Sequence, residues 1–275
     1  MKKKAYVVGN NTRLSLSPLI FNYWFKKYNV DGEYGYVEVQ ESSFEKKIKE
    51  LLNKNELCGL NITIPYKEKI IPLLYKINKQ AKLIGAVNCV TKKTNKALGS
   101  NTDWVGFKNS VFLSNNIKQK KTKALIVGYG GSAKAALYAL DKIGYTDVVL
   151  WNRSFDKIKN IKKYHKINIV PKELKKDNFY IDDGVELAIN TIPVKKYFGQ
   201  EIRKSKNLNN KITGYDLVYN KETSFLNYFS KPNQISGLNL LVHQAAPCFE
   251  LWFGIRPEIN EELFNLLSDK LERLK

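Results

Sequence analysis

The chain has 275 residues, 43% of them apolar and 12% aromatic, which is enough for one large or two modest cores and too apolar for a disordered chain. No run of about 18 apolar residues occurs, which argues against a membrane-spanning helix, and the basic start leads into Ala5-Tyr6-Val7-Val8-Gly9, too short an apolar run for a secretion signal. The net charge of +20 comes from lysines scattered along the chain with little arginine, so it reads as a solvated surface that steers anions, not as a nucleic-acid interface.

A cytoplasmic location and no membrane partner are therefore expected. The three cysteines, Cys58, Cys89 and Cys248, are far apart and match no zinc or redox spacing, so reduced and mostly buried thiols are expected. With only two histidines, His165 and His243, no metal site is predicted.

Apolar runs alternate with helical patterns along the whole chain, the mark of an α/β protein with parallel sheets. Residues 5–8 read as a strand, 18–28 as a helix, 34–39 as a strand and 44–53 as a helix. Residues 59–64 form a strand that stops at Pro65, and the segment after it is predicted helical to about residue 75. A second unit begins after the polar segment 115–122, with a strand at 123–127, a helix at 132–143 and a strand at 147–151. Later strands are expected at 187–190 and 214–218, and an amphipathic helix at 242–253 should pack back on the first unit.

Gly128-Tyr129-Gly130-Gly131-Ser132-Ala133 lies between the strand at 123–127 and the helix after it, within a βαβ unit of about thirty residues. Glycines there allow a tight turn and close backbone approach to a pyrophosphate, which the amides and positive end of the helix then hold. A Gly-rich turn alone can be a simple turn; its place between strand and helix makes it a dinucleotide site. The next strand ends in Asn152-Arg153-Ser154 with Lys157 one turn on, and no acid occupies the strand tip. An acid there would bond a ribose 2′-hydroxyl, whereas a guanidinium, a hydroxyl and an ammonium suit a 2′-phosphate. NADP is the expected cofactor, although Asp156 stands close by in sequence.

Several polar clusters interrupt the first hundred residues. Ser15 and Ser17 share one side of an extended segment and can clamp a carboxylate, or Ser17 can cap the helix that opens at Pro18. Asn61 and Thr63 share one face of a strand end, with Lys67 just past Pro65. Asn88 closes Gly85-Ala86-Val87-Asn88, and Asn101-Thr102-Asp103 forms a further cluster.

In this order the segments closely resemble the shikimate dehydrogenase family, which includes quinate-oxidising members. The resemblance covers nearly the whole chain: SLSP from Ser15, GLNITIPYK ending at Lys67, GAVN ending at Asn88, NTD ending at Asp103, GYGGSA from Gly128, NRS from Asn152, YDLVYN ending at Asn220 and HQAAPCFELW from His243. It implies that Ser15, Ser17 and Tyr219 hold a substrate carboxylate, and that Asn61, Thr63, Asn88 and Gln244 bond ring hydroxyls. Lys67 and Asp103 are implied as the catalytic pair, and Gly128, Gly130, Gly131, Ser132, Asn152, Arg153, Ser154, Lys157 and Thr191 as the cofactor set. His243 is expected to pack or face solvent, and Phe249 to Trp252 to be core. Two departures stand out. After Pro193 this chain has Val194-Lys195-Lys196 where the family commonly has a Gly-Met pair, and Leu240 stands where Met is common, so a differently lined nicotinamide pocket is expected.

The organisation implied is α/β with two domains: residues 1–104 and 238–275 as an α/β substrate-binding and catalytic domain, and residues 105–237 as an inserted Rossmann-like NADP-binding domain, with a cleft between them. The expected activity is NADPH-dependent reduction of 3-dehydroshikimate to shikimate in aromatic amino-acid biosynthesis, on a small-molecule substrate and by a monomer or homodimer. The alternatives are a quinate or dual quinate/shikimate dehydrogenase and, more distantly, a non-catalytic nucleic-acid-binding protein on the same fold.

Overall fold

The computed structural model describes residues 2–113, 122–175, 178–192, 212–219 and 225–273. The chain divides into two compact units, Met1–Gly106 with Leu241–Lys275, and Phe107–Leu240.

A six-stranded sheet organises the first unit. Strand β1 (Lys3–Gly9) leads through α1 (Ser17–Lys27) to β2 (Gly32–Glu38), and α2 (Phe44–Leu52) carries the chain to β3 (Leu57–Ile62). Both β2 and β3 flank β1 in parallel. The two-residue β4 (Lys76–Ile77), α3 (Lys79–Ile84), β5 (Cys89–Lys93), β6 (Lys96–Ser100) and α4 (Asp103–Leu113) follow, and the strand order is β2-β1-β3-β5-β6-β4.

Two expectations are corrected here. The sheet is mixed, because β5 runs antiparallel to both β3 and β6. Thr94, at φ 55, and Asn95 close a two-residue hairpin there, which needs no crossover helix. The stretch after Pro65 is also not a continuous α-helix. Only a 3₁₀ turn at Ile71–Leu73 is regular, with Pro72 inside it. A proline at that position lacks the donor and clashes with the preceding turn of an α-helix.

Side chains from α1 and from the carboxy-terminal helix α6 (Gly237–Phe253) pack on one face of this sheet. Phe21 and Trp24 lie 5.6 and 5.4 Å from Phe249, ring centre to ring centre. Trp252 presses on Gly59 of β3 so closely that a Cβ there would come within 2.1 Å of the indole, which accounts for glycine at that position. Its Nε1 donates to Thr91 Oγ1 at 3.2 Å. Phe249 and Trp252 are therefore core, while Glu250 and Leu251 face outward. On the other face Phe44, Ile48 and Leu51 of α2 meet Val8, Leu60 and Ile62. Burying side chains of this size contributes roughly 1.5–3 kcal/mol each.

The second unit carries a seven-stranded sheet. Its elements are β7 (Lys123–Val127), α5 (Gly131–Ile143), β8 (Asp147–Asn152), β9 (Lys163–Tyr164), β10 (Ile167–Glu173), β11 (Val185–Asn190), β12 (Thr213–Asp216) and β13 (Gln234–Ser236). Their order is β13-β12-β11-β7-β8-β10-β9, and every pairing is parallel except β9 with β10. The chain builds outward from β7 in one direction and then from β11 in the other. That reversal puts the topological switch point, where α/β sheets bind ligands, between β7 and β11. The chain passes back to the first unit within α6 and ends in α7 (Glu261–Glu272).

Candidate active site

In the first unit the pairing directions bring four strand ends to one edge of the sheet. The carboxyl ends of β1, β3 and β6 and the amino end of β5 lie together, with Val7 beside Asn61, Asn61 beside Cys89, and Cys89 beside Ser100. The segments that leave this edge carry Ser15 and Ser17, Thr63 and Lys67, Asn88, and Asp103.

Lys67 and Asp103, 36 residues apart in sequence, form an ion pair with Nζ 2.6 Å from Oδ2. Their side chains are only 11% and 7% exposed. Asp103 Oδ1 accepts a bond from Asn88 Nδ2 at 2.8 Å, so both carboxylate oxygens are engaged. The same Asn88 Nδ2 reaches Gln244 Oε1 at 3.1 Å and Thr102 Oγ1 at 2.9 Å, while Asn88 Oδ1 accepts from the Thr102 amide at 2.6 Å. Asn61 Nδ2 donates to the Asn88 carbonyl at 3.2 Å. Thus Lys67, Asp103, Asn88, Gln244 and Asn61 belong to one buried polar network. The charges are paired and the amides bonded, as burial requires.

Ser15 and Ser17 form a separate pair, with their hydroxyls 3.2 Å apart and the Ser17 amide donating to Ser15 Oγ at 3.2 Å. Leu16 occupies the N-cap of α1 and no side chain caps that helix, so the capping alternative for Ser17 is set aside. Thr63 follows β3 and is half-buried; its backbone amide donates to Val8 at 3.0 Å. Tyr219 belongs to the second unit, in the half-buried stretch after β12.

Besides Thr102, three members of the network had been given no role from the sequence. Tyr34 donates its hydroxyl to Asn61 Oδ1 at 2.7 Å. Asn101 Oδ1 accepts from the Asp103 amide at 3.0 Å, and its Nδ2 donates to the Ala86 carbonyl at 2.9 Å, which ties the Asn88 and Asp103 segments together. An Asn just ahead of an apolar run is a helix-start signal that could have revealed α4. Cys248 is the third, on α6 one turn after Gln244. His243 is buried, and its Nε2 has no hydrogen-bond partner among the described residues. Burial, helped by the charge of Arg256, holds its pKa below the ordinary value, consistent with a packing role.

In the second unit the cofactor candidates gather at the switch point. Gly128 sits at φ +101, and a Cβ there would come within 2.4 Å of Thr191 Oγ1. The Thr191 hydroxyl donates to the Val127 carbonyl at 2.7 Å, locking the end of β11 to the end of β7. Gly130 is the N-cap of α5, bears no side-chain cap, and faces open space where its Cβ would be. Gly131 and Ser132 open the first turn of α5. The open Cβ position at Gly130 and the uncapped helix amides fit a pyrophosphate. On the adjoining strand end, Asn152 Nδ2 donates to the Ser154 carbonyl at 2.9 Å, which shapes a turn with Arg153, Ser154 and Lys157 exposed. Asp156 is engaged by Lys159 at 2.7 Å, a bond that holds its carboxyl below the usual range. Val194, Lys195 and Lys196 lie outside the described residues; Leu240 is half-buried in α6. Among the described residues no helix is long and apolar enough to cross a membrane, and no cluster of His, Cys, Asp and Glu is placed to hold a metal ion.

Residues 7–90 match the model of the shikimate dehydrogenase substrate binding domain. A relative from Pelagibacter ubique, shikimate dehydrogenase (NADP(+)), is 36% identical over 273 residues, which cover 98% of this chain and all of the relative. The chain belongs to the shikimate dehydrogenase family. Solved structures agree in fold along nearly the full length. A shikimate dehydrogenase in complex with NADP+ is 30% identical with a TM-score of 0.82, covering 98% of this chain and 96% of that one. The Thermus thermophilus family member in complex with NADP(H) and shikimate is 25% identical with a TM-score of 0.80, covering 99% and 100%.

Proposed function

We propose that this chain catalyses the reversible NADPH-dependent reduction of 3-dehydroshikimate to shikimate, with Lys67 and Asp103 as its catalytic pair. The observation that carries the reading is the 2.6 Å Lys67–Asp103 ion pair inside a network of amides suited to ring hydroxyls. Ser15, Ser17 and Tyr219 bind the substrate carboxylate, and Asn61, Thr63, Asn88 and Gln244 bind the ring hydroxyls. Gly128, Gly130, Gly131, Ser132 and Thr191 cradle the dinucleotide, and Asn152, Arg153, Ser154 and Lys157 meet the 2′-phosphate.

Reducing a ketone to a secondary alcohol needs a hydride at carbon and a proton at oxygen. Bound NADPH supplies the hydride. The Lys67 ammonium bonds the carbonyl oxygen, draws electron density towards it and stabilises the negative charge as it develops. Asp103 fixes the direction of that ammonium, and Asn88 in turn fixes Asp103. The pair delivers the proton to the new alkoxide, and in the reverse direction it takes the proton from the hydroxyl.

The names of the relatives favour shikimate over quinate, which bears an additional hydroxyl at a saturated ring carbon. Kinetics of Lys67→Ala test the mechanism. Turnover should fall by about a hundred- to ten-thousand-fold with the KM for NADPH unchanged; near-normal kcat in a folded variant would remove Lys67 from the chemistry.

A further inference from the structure

Cys248 is fully buried in α6, and its sulfur lies where three parts of the polar network meet. Asn61 Nδ2 donates to Sγ at 3.3 Å, Thr102 Oγ1 lies 3.3 Å from it, and Sγ itself reaches back to the Gln244 carbonyl at 3.4 Å. These contacts join β3, the segment ahead of α4 and α6, which are far apart in sequence. With its S–H directed along the helix to Gln244, the sulfur is left as an acceptor for the Asn61 amide.

We infer that Cys248 is a positioning residue for substrate recognition: its sulfur fixes the Asn61 amide so that only the amide oxygen is offered to a ring hydroxyl. The inference rests on the reading of Asn61 as a substrate contact. Asn61 has two N–H donors, one engaged by the Asn88 carbonyl at 3.2 Å and the other by Cys248 Sγ. Its oxygen takes one bond, from the Tyr34 hydroxyl at 2.7 Å, and an amide oxygen has room for a second. The substrate hydroxyl facing Asn61 therefore acts as a donor. Without the sulfur one N–H loses its partner, the amide gains freedom to rotate, and the acceptor direction is no longer defined. The contact to Thr102, which bonds both ends of the Asn88 amide, holds the sulfur in place against Asn61. Cys89 is hydrogen-bonded to Cys248, and that bond together with burial raises the Cys89 pKa well above its ordinary value, so Cys89 remains a thiol beneath the network.

The test compares Cys248→Ala, Cys248→Ser, Asn61→Ala and the Asn61→Ala/Cys248→Ala double variant. Each is measured for shikimate KM, NADP KM, kcat and thermal unfolding. Cys248→Ala is expected to raise the shikimate KM about five- to tenfold, roughly the effect of one lost hydrogen bond, and to leave the NADP KM unchanged. Serine restores an acceptor and should recover most of that loss. The double variant should be no worse than Asn61→Ala, because Cys248 acts through Asn61. A thiol that only fills space predicts the reverse order, since a serine hydroxyl in a dry site is tolerated no better than alanine. Serine equal to or worse than alanine in shikimate KM would overturn the inference, as would additive losses in the double variant. A normal shikimate KM in folded Asn61→Ala would instead overturn the reading of Asn61, and the inference with it. If Cys248→Ala fails to fold, the serine variant decides alone, because a shikimate KM within about twofold of the wild type is required of it and a larger rise would overturn the inference.

Discussion

The polar edge of the first unit is built from side chains, whereas the glycine turn of the second is built from backbone. Around Asp103, each carboxylate oxygen is taken by a side chain, Lys67 or Asn88, and the Asn88 side chain is bonded in turn to Thr102 and Gln244. Around Gly128 the chain does nearly the opposite: apart from the Thr191 hydroxyl it leaves side chains out, opens the helix amides of α5, and fixes the geometry by joining backbone to backbone at 2.8 and 3.0 Å. A small ring with several hydroxyls presents directional groups, which oriented amides can match. A pyrophosphate presents diffuse charge, which a row of N–H groups can match. The first unit should therefore be sensitive to deletion of a side chain, and the second to addition of one.

That contrast can be broken by experiment. After the loss expected for Lys67→Ala, the largest effect is again in the first unit: Asp103→Ala should lower kcat by about a hundred- to a thousandfold and leave the KM for NADP unchanged, because the Lys67 ammonium loses its orientation. An equal loss in NADP binding, read by titration of nicotinamide fluorescence, would show that the two sites are not separately built. Next comes addition in the second unit. Gly128→Ala places a Cβ 2.4 Å from Thr191 Oγ1 at a φ of +101, and the NADP KM should rise about tenfold or more while the shikimate KM stays within about twofold.

Arg153→Ala should be smaller, lowering the preference for NADP over NAD by about tenfold through loss of one charge-assisted contact to the 2′-phosphate. Unchanged preference in competition kinetics would assign the phosphate to other residues.

The smallest effect concerns pH. Burial pushes the Asp216 carboxyl up to about 7, against the pull of hydrogen bonds from Val218 N and Asn190 Nδ2. In the unfolded chain the same group titrates near 3.8. A carboxyl raised in the folded state favours folding most below pH 4, and that contribution is lost as pH rises through about 7. Asp216→Asn should thus be more stable than the wild type at pH 8 by about 2–4 °C in Tm, the shift that about 1 kcal/mol makes in a protein of about this size, and should lose most of that advantage at pH 5. A constant difference across this range, by calorimetry, would show that Asp216 stays ionised.

The two regions also differed in how far they could be read from residues alone. The strand at 123–127, its glycine turn and the helix after it were legible because they are contiguous: an apolar run, then residues with no Cβ, then an Ala-rich helix. In the first unit the types of residue were visible, but their meeting was not. Lys67 and Asp103 are 36 positions apart, and Asn61 and Cys248 are 187 apart, so only the fold reveals that they touch. The resemblance to a family supplied the pairing of Lys67 with Asp103 and gave no role to Tyr34, Asn101, Thr102 or Cys248. The β5–β6 hairpin escaped notice for a local reason. Its turn is Thr94-Asn95 among lysines, without the glycine that marks such turns, so the positive φ falls on a residue that rarely adopts it. The helix expected after Pro65 failed at Pro72, where an apolar periodicity outweighed a known breaker.

The central claim, an NADP-dependent enzyme acting on shikimate, is tested most directly by following nicotinamide absorbance with shikimate and with quinate, each paired with NADP and with NAD. Rapid reduction with shikimate and NADP, and far slower reaction in the other three pairings, is the predicted result. Absence of turnover in all four by folded protein would contradict it, and faster turnover with quinate would keep the Lys67–Asp103 chemistry while contradicting the substrate.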